Sequence, residues 1–182
     1  MAVDIPGFSS PAVGFDTPLE LLSACHDRME RQCETLKRLV AHVAQHGVDS
    51  IAQTAAASVL RYFDTAALLH HRDEEEDLFP ALIESMAGSD AVCLHAIVDG
   101  LTQEHRQLEA TWHRLHDSLE AVSAGQSVKL DEDSVEQFCG MYASHIQREE
   151  DELLPMAARL LDDLALSDMS MAMRARRGGE GS

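Results

Sequence analysis

Four stretches of the chain carry apolar residues spaced three and four positions apart. This spacing places the apolar side chains on one face of an α-helix, at the a and d positions of a heptad repeat. Gly47, Gly88 and Gly125 separate the stretches, and no segment alternates as a β-strand would. Four helices with short connections and one apolar face each predict an all-α, up-down-up-down four-helix bundle with a short C-terminal helix.

The residues that flank the stretches predict the helix boundaries. Thr17 is expected to cap the first helix, with Pro18 in its first turn and Glu20 completing a capping box. Pro80 and Pro155 each predict a kink or a stop, with the second helix resuming at Ala81. The first helix is expected to run to about His46, the second from Asp49 or Ser50 to about Ala87, and the third from Ser89 or Asp90 to about Ala124. The fourth is expected to open at Asp131 or Asp133 and to end near Asp162, followed by a short helix at about 167–177. Residues 17–177 then form one domain, between an irregular arm at 1–16 and a disordered tail at 178–182.

The formal net charge of -18 excludes several partners. A nucleic-acid binder carries a basic surface, and no basic cluster precedes the short run 174–177. No run of 18 apolar residues could cross a membrane, and residues 1–18 lack the features of a secretory signal. The expected location is therefore the cytoplasm, where the four cysteines are expected to be buried, reduced thiols.

Six polar residues interrupt the apolar faces at positions that should point into the bundle. In an antiparallel hairpin, residues equidistant from the turn lie at one height. The midpoint of positions 26 and 70 is 48, that of 70 and 105 is 87.5, and that of 105 and 145 is 125, and each falls at or beside a glycine. One level of the bundle should therefore hold all six side chains: His26, His70, Glu74, His105, His145 and Glu149.

The spacing of these residues predicts a dinuclear metal site. A histidine and a glutamate four positions apart share one helix face, and a buried carboxylate is costly unless it is paired or binds a metal. If Glu74 and Glu149 both bridge, each of two metal ions receives two nitrogens and two oxygens. Imidazole and carboxylate ligands without thiolate favour Fe or Mn, and Zn also accepts them.

The second and fourth stretches form an internal repeat. The segment HHRDEEEDLFP at residues 70–80 aligns with HIQREEDELLP at residues 145–155, with an offset of 75 positions. His26 and His105 are offset by 79. Two related helical hairpins predict a nearly symmetric site.

These two segments, with His26 and His105 before them, resemble the hemerythrin-like (HHE cation-binding) family over about residues 17–177. The resemblance implies a four-helix bundle with a non-haem di-iron centre whose two ions share an oxo or hydroxo bridge. It also implies that the six residues named above are the iron ligands. Oxygen-carrying members have a second histidine where this chain has Glu109. The Glu104–His105 pair and the ligand set are more similar to the four-His, two-Glu branch, which includes di-iron proteins of nitric oxide response and iron–sulfur cluster repair.

The resemblance implies a protein that binds a small diatomic ligand, O2 or NO, for sensing, scavenging or stress response. The alternatives are a di-iron enzyme acting on NO or peroxide, an iron donor for iron–sulfur cluster repair, and a metal-stabilised interaction module. Whether the chain is an enzyme stays open, and a second copy of the chain is a candidate partner.

Several other residues have two interpretations each. Glu30 and Glu109 could add carboxylates to the site or lie on the solvated bundle edge, and the edge is favoured. Cys25 precedes His26 and could have a redox role, whereas Tyr142 could reach the pocket or belong to the core. His71 and Glu75 are interpreted as residues that surround the ligands or lie on the surface.

Overall fold

Five helices make up the computed structural model, which describes residues 14–86 and 91–178. The helix α1 is Pro18–His46, α2 covers residues 50–85, α3 is Ala91–Ser123, α4 covers residues 132–160 and α5 is Asp163–Gly178. Each of α1 and α3 packs against both α2 and α4, as in an up-down-up-down bundle, and the described residues contain no strand. The predicted arm at 1–13, the turn at 87–90 and the tail at 179–182 lie outside the described residues.

The helix ends are close to those predicted, but Thr17 does not cap α1. Its side chain accepts no hydrogen bond from the first turn, because its hydroxyl faces the carbonyl oxygen of Gly14 at 3.5 Å. Asp49, in contrast, accepts hydrogen bonds from the backbone N–H groups of Ile51 and Ala52 at the start of α2. Gly47 ends α1 with a φ of 76°, a conformation that favours glycine.

Of the kink or stop predicted at each proline, the stop is wrong, because both helices continue through the proline after a π-helical section. The helix α2 contains π sections at Tyr62–Ala66 and Glu74–Leu78 between α sections at Ser50–Arg61, Ala67–Asp73 and Phe79–Ser85. The helix α4 has one π section, Glu149–Leu153, between Glu132–Arg148 and Leu154–Leu160. Pro80 and Pro155 therefore fall in the first turn of a new α section, where a missing N–H is tolerated.

The C-terminal helix begins earlier than predicted. The backbone turns extended at Leu161, and the Asp162 side chain accepts a hydrogen bond from the N–H of Ala165 at 2.9 Å. The helix α5 thus starts at Asp163 rather than near residue 167, and it packs against α1 and α2. This cap explains why α4 ends at Leu160 instead of continuing to Asp162.

Two apolar clusters fill the bundle, one on either side of a polar layer. One contains Met29, Phe63, Leu108, Trp112 and Phe138 among its members. The other contains Leu22, Leu78, Leu101, Leu153 and Met173. Three of the four cysteines are buried, as expected, whereas Cys93 is exposed near the start of α3. None of the helices in the described residues combines the length and apolar character that a membrane crossing requires.

Two arginines attach α5 to the second helix. The carboxylate of Asp73 is fully buried and contacts the guanidinium groups of both Arg176 and Arg177, the latter at 2.5 Å. Arg176 also reaches Asp77 at 2.9 Å and has a side chain only 8% exposed. Because a buried charge requires a partner, this cluster fixes the position of α5 on the bundle.

Replacing Arg176 should therefore destabilise the protein more than replacing a nearby surface arginine. Arg176→Ala leaves a buried carboxylate with one partner fewer and should cost about 3 kcal/mol of unfolding free energy. Arg174 is 51% exposed and pairs with Asp16 at the surface, so Arg174→Ala should cost about 1 kcal/mol or less. Urea denaturation of both variants measures the difference, and equal losses would contradict the buried attachment.

Candidate metal centre

All six predicted residues converge at one level of the bundle, between the two apolar clusters. His26 lies on α1, His105 on α3, and each of α2 and α4 contributes a histidine and a glutamate. All six are buried, with an exposed fraction of 2% or less. The six side chains therefore lie together, as their heptad positions and their equal distances from the turns predict.

The four imidazoles form two pairs. The Nε2 atoms of His26 and His70 are 3.2 Å apart, and those of His105 and His145 are 3.0 Å apart. The rings within each pair are close to perpendicular. Two nitrogens thus meet in each half of the centre.

Each glutamate spans both halves. Oε1 of Glu74 lies 3.0 Å from Nε2 of His70, and its Oε2 lies 3.3 Å from Nε2 of His105. Glu149 places Oε2 at 3.0 Å from Nε2 of His26 and Oε1 at 3.2 Å from Nε2 of His145. Each half therefore contains two nitrogens and two carboxylate oxygens, one from each glutamate.

Three further carboxylates orient three of the imidazoles from outside. The Nδ1 atoms of His26, His105 and His145 lie 2.6–2.8 Å from oxygens of Glu150, Glu75 and Glu104, respectively. A donating Nδ1–H leaves the Nε2 lone pair directed into the centre.

The sequence predicts these carboxylates only in part. It places Glu75 around the ligands or on the surface, whereas no prediction covers Glu150. The 75-residue repeat could have identified Glu150, since it is the counterpart of Glu75.

The near-symmetry breaks at His70. Its Nδ1 is buried without a hydrogen-bond partner, and the thiol of Cys25 lies beside the ring. Cys25 directly precedes His26 as Glu104 directly precedes His105, so a thiol occupies the position of a carboxylate. Burial raises the pKa of the Cys25 thiol, but the adjacent His70 outweighs burial and lowers that pKa below its usual value.

His71 and Tyr142 lie next to the centre in the buried interior. The His71 ring stacks on His105 with centroids 4.0 Å apart, and its Nε2 has no hydrogen-bond partner. Burial and the neighbouring His105 hold the pKa of His71 well below its ordinary value, so the ring is neutral. The Tyr142 ring packs against those of Phe63 and Phe138, with centroids 5.3 and 5.1 Å away, which agrees with its interpretation as a core residue.

Glu30 and Glu109 take no part in the cluster. Both side chains are exposed, and Glu109 faces Arg106 at 4.0 Å. The interpretation as a solvated edge is therefore supported for both residues. Both residues lie at e-type positions, beside the buried a and d face of the helix, so their carboxylates point to solvent.

The chemistry of the donor set requires positive charge at its centre. The four carboxylate oxygens of Glu74 and Glu149 are buried and lie 3.0–3.3 Å from imidazole nitrogens, and their burial is costly unless positive charge compensates it. Without metal, protons serve this purpose. Burial lowers the pKa of His26, but hydrogen bonds to Glu149 and Glu74 outweigh burial and raise that pKa to about 10. A metal cation would bind to the same lone pairs, since protons and metals compete for them.

The sequence of the chain matches a known protein family. The family model for the Hemerythrin HHE cation binding domain matches residues 17–157. A protein of Haemophilus influenzae that is named only as uncharacterized is 33% identical over 163 residues. That similarity covers 90% of this chain and 91% of the relative.

The metal-free protein should lose stability as the pH rises from about 6.5 to about 10. The folded pKa of His26 lies above the unfolded value of 6.5, so its contribution is complete below pH 6.5 and lost as the pH approaches 10. Each such proton gives a slope of up to about 1.4 kcal/mol per pH unit. Urea denaturation across this range measures the slope.

A matched pair of variants identifies the source of this slope. His26→Asn should reduce the slope, whereas replacing the exposed His113 in the same way should leave it unchanged. A metal-free protein whose stability is constant over this range would contradict the assignment of protons to the buried imidazoles.

Proposed function

The chain belongs to the hemerythrin HHE cation-binding family, and we propose that it is a non-haem di-iron protein that binds a small diatomic ligand. That ligand is O2 or NO, and its binding serves sensing, scavenging or stress response. The family supports metal binding, and the remaining points rest on the arrangement of this chain's own residues.

One observation carries the proposal: each carboxylate directs one oxygen to each half of the centre. Glu74 and Glu149 are thereby arranged to bridge two ions separately bound by pairs of imidazoles. We assign the metal ligands as His26, His70, Glu74, His105, His145 and Glu149. With two nitrogens and two oxygens for each of them, two bound ions would keep coordination positions for an oxo or hydroxo bridge and for an external ligand.

The ligand chemistry favours iron in both positions. Imidazole and carboxylate without thiolate suit Fe, with Mn and Zn as substitutes that the same donors accept. A bound iron pair would supply a redox-active Lewis acid for the external ligand. The described residues place no thiolate among the inward-facing donor atoms, which disfavours a structural zinc site built on cysteine.

Residues around the centre fix the orientation of its imidazole rings and exclude water from it. Glu75, Glu104 and Glu150 fix three imidazole rings through Nδ1, which sets the direction of each Nε2. Leu78, Leu101 and their neighbours seal one side, and Met29 and Leu108 seal the other. The low dielectric of these layers strengthens the attraction between the carboxylates and any bound cation.

The space beside the centre supports a ligand of two atoms. A cavity of about 20 Å³ lies next to His71 and Tyr142 and is lined mainly by apolar residues, among them Phe63 and Leu108. That volume accommodates about one water-sized molecule. Full burial of the proposed ligands disfavours rapid delivery of iron.

We place the functional domain at residues 17–177, with the arm at 1–16 and the tail at 178–182 outside it. The attachment of Arg176 and Arg177 to Asp73 supports the inclusion of α5. A cytoplasmic location and a homodimer stay predictions from the sequence.

Removing either bridging glutamate should release metal, whereas removing an exposed one should not. Glu74→Ala and Glu149→Ala each take one ligand from both ions, so each should lower bound iron from about two per chain to less than one. Glu30→Ala is the control because its side chain is exposed. Metal analysis of the purified variants compares them, and equal losses in all three would overturn the ligand assignment.

Exposure of the ferrous protein to O2, NO and peroxide in turn separates the candidate functions. A diatomic-binding protein should form a stable, reversible adduct with O2 or NO, visible in its optical spectrum. Rapid turnover of NO or peroxide would instead show an enzyme, and loss of iron to a mild chelator would show an iron donor. Either of these two outcomes would contradict the proposed binding function.

A further inference from the structure

Two buried cysteines from different helices face each other away from the metal centre. Cys33 lies on α1 and Cys139 on α4, with exposed fractions of 5% and 4%. The Cys139 thiol donates a hydrogen bond to the backbone oxygen of Cys33 at 3.7 Å. Each thiol also shifts the pKa of the other.

The pair has access to a cavity. A space of about 200 Å³ lies between α1 and α4, and both cysteines line it together with Glu34, Lys37 and Tyr142. Lys37 has a side chain 37% exposed, so a charged and solvated group lies at this cavity. A small polar molecule can therefore approach two thiols that are otherwise enclosed.

The two thiols are chemically unequal. The neighbouring Cys33 thiol lowers the pKa of the Cys139 thiol, and Lys37 adds to that effect. The same contact, with burial, raises the pKa of the Cys33 thiol. A thiolate is the reactive form of cysteine, and a nearby cation favours it.

We propose that Cys33 and Cys139 form a redox-active dithiol site that a hydroperoxide converts to a disulfide. The Cys139 thiolate attacks the terminal oxygen of the hydroperoxide, the O–O bond breaks, and sulfenic acid and hydroxide (or an alkoxide) form. The Cys33 thiol then attacks the Cys139 sulfur. The S–O bond breaks, the S–S bond forms, and water leaves with the Cys33 proton. The two sulfurs together lose two electrons, which reduce the peroxide.

The site is separate from the proposed metal centre. Its chemistry requires no metal, and so it does not depend on the function proposed above. It does adjoin the centre, because Tyr142 and Ile146 line the same cavity and flank His145 along α4. A disulfide here would join α1 to α4, the helices that carry His26 and His145.

The test uses the full-length protein loaded with zinc, because zinc has no redox chemistry of its own. After treatment with hydrogen peroxide and alkylation of the remaining thiols, peptide mapping should show one cross-linked peptide joining Cys33 to Cys139. Before alkylation, the disulfide should lower the intact mass by about 2 Da, for two lost hydrogen atoms, and a thiol reductant should reverse the change.

Cysteine variants assign the roles. Cys139→Ser should abolish the cross-link, and Cys33→Ser should instead accumulate a sulfenic acid on Cys139 that dimedone traps. Cys25→Ser and Cys93→Ser are the matched controls and should keep the cross-link. A wild-type protein that forms only Cys93-linked dimers, or oxidises Cys139 without a cross-link, would overturn the proposal without any dependence on how the variants fold.

Discussion

The burial of two carboxylates in the middle of a helical bundle is the constraint on which the rest of the structure depends. Glu74 and Glu149 are fully buried between two apolar clusters, where an uncompensated negative charge is strongly unfavourable. Four imidazoles surround them, and three outer carboxylates fix the direction of those imidazoles. The donor atoms are thus arranged around a place for positive charge. Protons supply that charge in the metal-free protein, where the pKa of His26 is raised to about 10, and a metal cation would compete with them for the same lone pairs.

The helices adapt their backbone at this same level. A π section begins at Glu74 in α2 and another begins at Glu149 in α4. The extra residue of a π turn shifts the following side chains around the helix, and such turns are frequent at functional sites. Each section also places the following proline in the first turn of a new α section. The internal repeat therefore contains, in both halves, a π section that begins at the buried glutamate.

Heptad spacing and turn positions were sufficient to predict the bundle and to bring six residues to one level, because both depend only on helix geometry. The sequence could not predict features that depend on contacts between distant segments. Glu150 reaches His26 across 124 positions, His71 stacks on His105 from another helix, and α5 is fixed by arginines that bind Asp73. The predicted cap at Thr17 failed for a local reason instead. Its hydroxyl donates a hydrogen bond to the backbone oxygen of Gly14 and does not cap α1.

The central claim is that six side chains hold two metal ions with both glutamates as bridges. Metal analysis of the protein as isolated, combined with its optical spectrum, tests this claim most directly. The account predicts close to two iron ions per chain and near-ultraviolet absorption of an oxo-bridged diferric pair. A single zinc ion per chain in tetrahedral coordination would contradict it.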